Sequence, residues 1–571
     1  MVERVRETDG FGTVRERRRV VLASALGTVF EWYAFLLYGA LLPIFASNFF
    51  GDFAATTANI FALMIFAGGF LVKPLGALLF GQVSDRVGRR YTFLVTILIM
   101  GAATFAVGLL PTSESIGLAA PIALMGLRFV QGLALGGESA GAAIYVAECS
   151  PRRHRGFLTS FVQVSAAVGL VLSLAVIQAS QMAVGEEAFQ AWGWRIPFLF
   201  SIVLVIISGW LRLHLQESPA FLRMKRQGAE SRSPVSEAFF RWRNARIALL
   251  ALFGLVAGQA VVTYTGLFYP LFFLGSVLRV DGYTVGVLVA WSVLLGAGGF
   301  VLFGWLSDRI GRKPVILAGC LLSGLAYFPL FGMLTEQANP ALHRAHQTAS
   351  VQLLADTSTC SFQFNPTGAA MFIQPCDIAK MALGYVSANY TVVHQPGREI
   401  AAVRVNDGPL ISADTPTFAR DLQGALSAAG YPLGENPSLV RVAHPLDVFG
   451  PQAMALIGTL TALVVLMGMV FGPISAALAE LFPTRIRYTG MSLPYQLGNG
   501  WFGGLLPAFA LAMSAEAGDI YFGLWYPVVI ALATAVVGAL FVPETRHRDL
   551  QVGEAGAEQV APEEAAARAS A

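Results

Sequence analysis

The stretch "GQVSDRVGRR" at residues 81–90 returns as "GWLSDRIGRK" at residues 304–313. Both follow the pattern G-x-x-S-D-R-x-G-R-[RK], which is too specific over ten residues to be coincidence. Repetition of several short motifs in one order indicates an internal repeat, so the chain is predicted to contain two copies of one structural unit. Two further pairs support this: "AECSPRRHRG" (147–156) with "AELFPTRIRYTG" (479–490), and "LQESP" (215–219) with "VPET" (542–545).

The regions between these motifs are long and apolar. Of the 571 residues, 55% are hydrophobic and 13% are charged, and the mean hydropathy is +0.62, whereas a soluble protein carries about 25% charged residues. About 20 apolar residues cross a bilayer as a helix, and these runs lack the alternation of β-barrel strands. The sequence therefore predicts an all-α membrane protein with twelve transmembrane helices in two six-helix bundles. The twelve runs are 20–43, 58–80, 91–110, 121–147, 157–180, 195–213, 247–274, 283–305, 314–334, 453–479, 488–514 and 520–542.

Basic residues crowd every second loop between these runs. The remaining short loops carry acidic residues instead, with Arg279 as the one basic residue well inside such a loop. Because positively charged loops stay in the cytoplasm, both termini are predicted to be cytoplasmic. The basic residues alternate between loops rather than gathering on one face, which argues against a nucleic-acid partner. The first apolar run is too long for a cleavable signal peptide and has no small-residue cleavage site.

The second copy of the repeat contains an insertion. The spacing between its first two motifs exceeds that in the first copy by about 110 residues, and the polar stretch 336–447 accounts for the excess. By topology this insertion is extracytoplasmic. Because that side is oxidising, a disulfide between Cys360 and Cys376 is expected, with two free thiols as the alternative. The predicted organisation is a cytoplasmic tail (1–19), an N-terminal bundle (20–215), a cytoplasmic linker (216–246), a C-terminal bundle that includes the insertion (247–548), and a disordered acidic tail (549–571).

The paired loops, the six-plus-six arrangement and "RFVQGLALGG" (128–137) together resemble the major facilitator superfamily. Within it, "EWYAF" (31–35), "KPLGALLFGQVSDRVGRR" (73–90) and "WGWRIPFLFS" (192–201) resemble the metabolite:proton symporter family, whose members carry α-ketoglutarate, citrate, shikimate and proline/betaine. The resemblance covers nearly the whole chain except the insertion and the tails. Relatives often have Asp where Ala34 stands and Arg where Lys73 stands, so no acid at position 34 is available for coupling.

Four ionisable residues lie away from the ends of the predicted spans, namely Glu31, Lys73, Arg128 and Glu138. Charged groups inside a membrane span are costly and are functional candidates by default. At ~1.5 Å of rise per residue, Glu31, Lys73 and Glu138 fall in one layer near the bilayer middle. An acid whose pKa is raised by burial and lowered by a nearby cation suits a proton carrier. Glu31 and Glu138 are the candidate carriers, with Lys73 and Arg128 as partners or anion-binding groups; the alternative is a permanent ion-pair network that holds the helices in register.

The repeated loops predict a gate at the cytoplasmic face. Short polar loops with Asp, Arg and Gly suit helix caps and interhelical salt bridges, and in the superfamily they resemble a latch that stabilises the outward-facing state. The alternative is that their arginines only fix orientation. Glu148 with Arg155, and Glu480 with Arg487, are expected to extend this network. The core gate residues are Asp85, Arg89, Asp308 and Arg312.

The second half is expected to supply uncharged contacts to a substrate. Gln259 and Tyr269 lie on or beside one face of the seventh span, and Tyr495 and Asn499 share a face of the eleventh. Packing in the core is the alternative for the aromatic residues. The full set of predicted substrate contacts is Tyr38, Gln131, Gln259, Tyr269, Tyr495 and Asn499.

These features predict a proton-coupled symporter that imports a small anionic or zwitterionic metabolite, such as a carboxylate, by alternating access. The expected partners are the metabolite, the proton and the lipid bilayer of the bacterial cytoplasmic (inner) membrane; no cofactor or metal is expected, and the protein should be a monomer. The sequence contains no G-x-x-x-x-G-K-[ST] motif and no H-E-x-x-H motif, which argues against a nucleotide-driven pump and an enzyme. The alternatives are a solute sensor that binds through 336–447 without transport, and a proton antiporter.

Overall fold

The computed structural model describes residues 14–50, 55–361, 373–433, 436–548 and 550. The predicted tails, 1–19 and 549–571, lie mostly outside these described residues. The repeat motifs fall at the ends of the long helices, which form two halves. The long helices are α1 (Val14–Ala40), α2 (Ala55–Val87), α3 (Arg89–Leu109), α4 (Ala119–Glu148), α5 (Arg155–Val184), α6 (Arg195–Leu213), α7 (Trp242–Val277), α8 (Gly282–Ile310), α9 (Arg312–Ala338), α10 (Pro451–Leu481), α11 (487–517) and α12 (Trp525–Phe541).

Ten helices in the described part of the chain are long and apolar enough to cross a membrane. The two remaining predicted spans are also helical, as α2 and α11. Helix α11 is interrupted, because a π-helical segment at Gly498–Gly503 separates Arg487–Leu497 from Leu506–Ala517. A second π-helical segment, Leu252–Val256, occurs in α7. Such segments bend a helix and are frequent at functional sites.

The two repeated loops have the same construction. Gly88 and Gly311 join α2 to α3 and α8 to α9 with φ of 138° and 115°, backbone conformations that favour glycine. A glutamate from the motif pair "LQESP" and "VPET" caps the helix that begins after each of these loops. Glu217 accepts hydrogen bonds from the first two backbone amides of α3 at 3.1 and 3.2 Å, and Glu544 accepts from the first two of α9 at 3.0 Å. A carboxylate at a helix N-terminus satisfies free amides and complements the helix dipole.

The insertion is a small mixed α/β unit, so the prediction of an all-α chain is wrong for this region. Four strands form a sheet in the order β2-β1-β3-β4, with β1 parallel to β2 and antiparallel to β3. Leu353 in β1 is fully buried, and it belongs to the same hydrophobic core as the buried residues of the long helices. The strands are β1 (Val351–Ala355), β2 (Thr391–His394), β3 (Ala402–Val405) and β4 (Ile411–Ser412), and helices cover Pro340–Thr348, Pro375–Tyr385 and Phe418–Ala428.

The insertion is stapled internally and docked on the C-terminal half. A disulfide joins Cys360 and Cys376, whose Cα atoms are 5.4 Å apart. Lys380 in the insertion forms an ion pair with Glu516 at the end of α11, at 2.7 Å. The indole N–H of Trp291 on α8 donates to a carbonyl of the segment that returns to α10, at 2.7 Å. The other two cysteines, Cys149 and Cys320, are buried free thiols.

Candidate functional site

Lys73 of α2 is the centre of a buried site between the two halves. Its side chain is almost fully buried, and its ammonium lies 4.6 Å from the ring centre of Phe70 and 4.9 Å from that of Phe35. A cation over an aromatic ring is attracted by the ring's quadrupole. Lys73 is within electrostatic range of Glu31 and Arg128, so three of the four charged residues predicted inside the spans lie near one another.

Glu31 of α1 faces both halves of the protein. Its side chain is buried, and besides Lys73 it acts electrostatically on Tyr264 of α7 and Tyr495 of α11. Aromatic residues continue this contact across the interface. The ring of Phe268 on α7 stacks on Tyr264 at 4.9 Å and lies 6.1 Å from Trp32 beside Glu31. Glu31 and Lys73 therefore lie among aromatic side chains of both halves.

Arg128 of α4 organises a neighbouring polar cluster. It donates a hydrogen bond to the Gln131 side chain at 2.8 Å, and Gln131 donates in turn to Thr104 at 2.9 Å. The guanidinium also lies 4.1 Å from the ring centre of Tyr38. Two predicted substrate contacts, Tyr38 and Gln131, are thus placed around Arg128.

Glu138 pairs with a residue that the sequence analysis did not single out. Its carboxylate forms a buried ion pair with Arg212 of α6 and accepts a hydrogen bond from Thr96 at 2.6 Å. Arg212 lies near the end of α6, and sequence reasoning missed it because a basic residue there reads as a loop anchor. Its guanidinium reaches inward over Phe93 and fills the space beside Gly27 of α1. Glu138 and Arg212 therefore form a separate ion pair within the N-terminal half.

The expected polar contacts from the second half are only partly assembled. Gln259 of α7 and Asn499 of α11 exchange hydrogen bonds at 3.3 and 3.4 Å. Asn499 lies within the π-helical segment of α11, and Gln259 follows the π-helical segment Leu252–Val256 of α7. Tyr495 lies near Glu31, as described above. The prediction for Tyr269 is not supported, because its ring packs against Phe273 and Phe331 in the core of the C-terminal half.

The repeated loops close one end of the interface between the halves. Asp85 pairs with Arg89 of its own half at 2.6 Å and accepts from the backbone amide and hydroxyl of Thr489 in the other half, at 2.9 and 2.8 Å. Asp308 makes the equivalent contacts from the C-terminal half to the N-terminal half. It pairs with Arg312 at 2.7 Å and accepts from the first amides of α5, those of Gly156 and Phe157, at 2.9 and 2.8 Å.

The outer ion pairs of this network cross between the halves, so the expected pairing within each half is wrong. Glu148 accepts from Arg487 at 2.7 Å, and Glu480 accepts from Arg155 at 2.7 Å. The side chains of all four are at most 3% exposed. We call the whole network the salt-bridge gate. Its members are Asp85, Arg89, Glu148, Arg155, Asp308, Arg312, Glu480 and Arg487.

Within the described residues, no group of three or more His, Cys, Asp or Glu side chains could hold a metal ion. The site consists of a buried charged centre between two similar halves, with a salt-bridge gate at one end. A sequence-family model described as "Major Facilitator Superfamily" matches residues 24–346, more than half of the chain. The chain belongs to the major facilitator superfamily. A second model, "Sugar (and other) transporter", matches residues 445–555.

Similar proteins with assigned activities are transporters. The shikimate transporter of Escherichia coli K12 is 38% identical over 337 residues, which cover 58% of this chain and 76% of that protein. The proline/betaine transporter of Salmonella typhimurium LT2 is 37% identical over 326 residues, covering 55% of this chain and 64% of that protein. The inner membrane metabolite transport protein YhjE of Escherichia coli K12 is 28% identical over 548 residues, covering 94% and 96%.

Among solved structures, the proton:xylose symporter XylE bound to 6-bromo-6-deoxy-D-glucose superposes with a TM-score of 0.62 at 15% identity, covering 94% of this chain and 98% of that one. At this identity the likeness shows the fold alone. The family match and the similarity to transporters make the chain a multi-pass membrane protein and a secondary transporter, not an enzyme.

Proposed function

We propose that this transporter is a proton-coupled symporter that imports a small anionic or zwitterionic organic metabolite, such as a carboxylate, by alternating access. The observation that carries the proposal is that two buried residues of opposite charge, Glu31 and Lys73, lie within electrostatic range of each other at the contact between the halves. The proposed setting is the bacterial inner membrane, with twelve spans, a monomeric protein, both termini and the salt-bridge gate on the cytoplasmic side, and the insertion outside.

Competition for Lys73 would couple the two solutes. A buried ammonium needs a counter-charge, because an unpaired charge in a low-dielectric interior is strongly unfavourable. When Glu31 is ionised it supplies that charge. When Glu31 is protonated, the carboxylate of an arriving substrate can supply it instead, so proton and anion would load together. Arg128 adds a second cation within electrostatic range of Lys73, which favours an anionic or zwitterionic cargo.

The salt-bridge gate supports the alternating-access part of the proposal. With the gate closed, a site between the halves is sealed from the cytoplasm, and the two halves must separate there to release the cargo. Proton and substrate at the centre would therefore have to favour separation of ion pairs at the gate. Gln259 and Asn499, which bond to each other across α7 and α11, remain proposed substrate contacts.

Uptake into proteoliposomes tests the proposal. Labelled organic acids and zwitterions are offered with and without an imposed inward proton gradient. We expect accumulation with the gradient, and Glu31→Gln should abolish it while leaving exchange of substrate across the membrane. Glu114→Gln is the matched control, since Glu114 is an exposed acid far from the centre of its half.

Three outcomes would contradict the proposal. Gradient-driven accumulation that is unchanged in Glu31→Gln removes Glu31 as the proton carrier. Accumulation driven only by an outward proton gradient identifies an antiporter. Binding of the acids without any uptake identifies a sensor.

A further inference from the structure

A cavity of about 410 Å³ lies where the insertion meets the C-terminal half, away from the salt-bridge gate. It is formed by the end of α7, the start of the insertion and the segment that returns toward α10. Ligand sites typically occupy 300–1,000 Å³, with apolar walls and a few polar groups. The described residues that line it are Val277, Arg279, Asn339, Leu342, Val386, Pro432, Asn436, Leu439 and Arg441.

The charged side chains among the described residues that line this cavity are all basic. Among its described lining residues there are two arginines and no carboxylate. Arg279 is also the one basic residue well inside the short loops that otherwise carry acidic residues. The nearby Asp281 carboxylate accepts a hydrogen bond from the backbone amide of Thr284 at 2.8 Å and so caps the first turn of α8.

Arg279 is held in place rather than left free in solvent. Its backbone has φ of 63°, a left-handed conformation that is unfavourable for a residue with a side chain. The guanidinium donates to the carbonyl of Tyr385 and lies 4.6 Å from that residue's ring centre. A guanidinium has five N–H donors in a fixed fork, so this bond leaves donors for another acceptor.

The rest of the cavity is fixed by hydrogen bonds. The Asn339 side chain is buried; it donates to the carbonyl of Leu278 at 3.1 Å and accepts from Asn436 at 2.8 Å. These bonds tie the start of the insertion to α7 and to the return segment that carries Arg441. Arg279 and Arg441 are thus presented on a partly apolar wall, and guanidinium forks match the geometry of carboxylates.

We propose that this cavity binds a small organic carboxylate, with Arg279 and Arg441 holding the carboxylate and the Val277, Leu342 and Leu439 side chains contacting the carbon skeleton. The site is separate from the centre around Lys73 and does not depend on the proposed proton coupling. The bound anion is either the transported substrate, captured before entry, or a different acid that regulates transport.

Binding to the full-length protein in lipid nanodiscs tests this. Mono-, di- and tricarboxylates of three to seven carbons are titrated by calorimetry, with their methyl esters as uncharged controls. Hydrogen exchange locates the site, which should show protection at 339–342 and 436–442. Arg441→Ala, and Arg279→Gly, which relieves the backbone conformation, should each weaken binding about tenfold, the value of one charge-assisted hydrogen bond. Arg420→Ala, at an exposed arginine elsewhere on the insertion, should leave it unchanged.

Carboxylate affinities within twofold of the parent in both cavity variants would overturn the proposal, as would protection confined to residues around Lys73. An uptake measurement then shows whether the bound anion is the transported substrate or a regulatory acid. If the acid bound in the cavity is also the one accumulated, the cavity is a capture site; if it is not accumulated, the cavity is regulatory. Failure of gradient-driven uptake would contradict the proposed function and leave this binding result standing.

Discussion

Glu480→Gln should open the salt-bridge gate. Glu480 is buried and accepts from Arg155 of the other half at 2.7 Å, and from Arg312 and Thr545 of its own half at 3.3 and 2.8 Å. Glutamine keeps the shape but leaves Arg155 as a buried cation without its counter-charge while the gate is closed. Once the gate opens, water can solvate Arg155, so the substitution penalises the closed state alone.

The size of this effect follows from the burial. Removing one partner of a buried ion pair costs about 3 kcal/mol or more. At 1.4 kcal/mol per factor of ten, the closed-to-open ratio should fall roughly 100-fold. The mirror-related pair of Glu148 with Arg487 remains and continues to favour closure.

Distances between spin labels at Arg153 and Ile310 would measure the change, because both side chains are exposed and they belong to different halves. We expect a new population at longer distance in Glu480→Gln. Glu544→Gln is the control, since Glu544 caps α9 within one half and makes none of its described hydrogen bonds across the interface. An unchanged distance distribution in Glu480→Gln, or an equal change in Glu544→Gln, would refute the reasoning.

Two further predictions concern stability. A Cβ at Gly27 would collide with the Arg212 guanidinium, so Gly27→Ala should displace Arg212 from Glu138 and lower the free energy of unfolding by about 1–3 kcal/mol, the usual cost of overpacking a core. A thermal midpoint no lower than that of Gly126→Ala, where a Cβ meets open space, would contradict this. In the insertion, burial lowers the pKa of His346 below its ordinary 6.5. The neutral ring therefore stabilises the fold above that value, and this stabilisation is lost as the pH falls through the lower folded pKa; faster amide exchange around His346 at acidic pH, absent in His346→Gln, is the expected result.

The long helices and their duplication were predictable because the signals are local. The length of an apolar run predicts a membrane span, and the glycine in each repeated loop indicates the sharp turn there. The break in α11 was not predicted, since the apolar run through Gly498–Gly503 continues across it. The sheet of the insertion was also missed. A five-residue run such as Val351–Ala355 is too short for hydrophobic periodicity to distinguish a strand from a loop.

Partners of charged residues were less predictable than the residues themselves. Glu138 was identified because a charged residue is costly inside a membrane span. Its partner Arg212 could not be identified from the sequence, because the contact requires the long arginine side chain to extend past Gly27. Sequence also cannot decide whether Glu148 pairs within its half or across. Both halves carry the same motif, and the choice of Arg487 is made by packing alone.

The reciprocal contacts of Asp85 and Asp308 carry an evolutionary consequence. Each aspartate binds the beginning of a helix in the opposite half, so one contact is made twice with the roles exchanged. Two identical six-helix chains related by a twofold axis would make the same contact, since such an interface is isologous. Fusion of two such chains would free each copy to diverge. The contacts of Asp85 and Asp308 are symmetric between the two copies, whereas Glu31, Lys73 and Arg128 all belong to the first copy. Divergence after such a fusion would account for a charged centre that is asymmetric beside a gate that is symmetric.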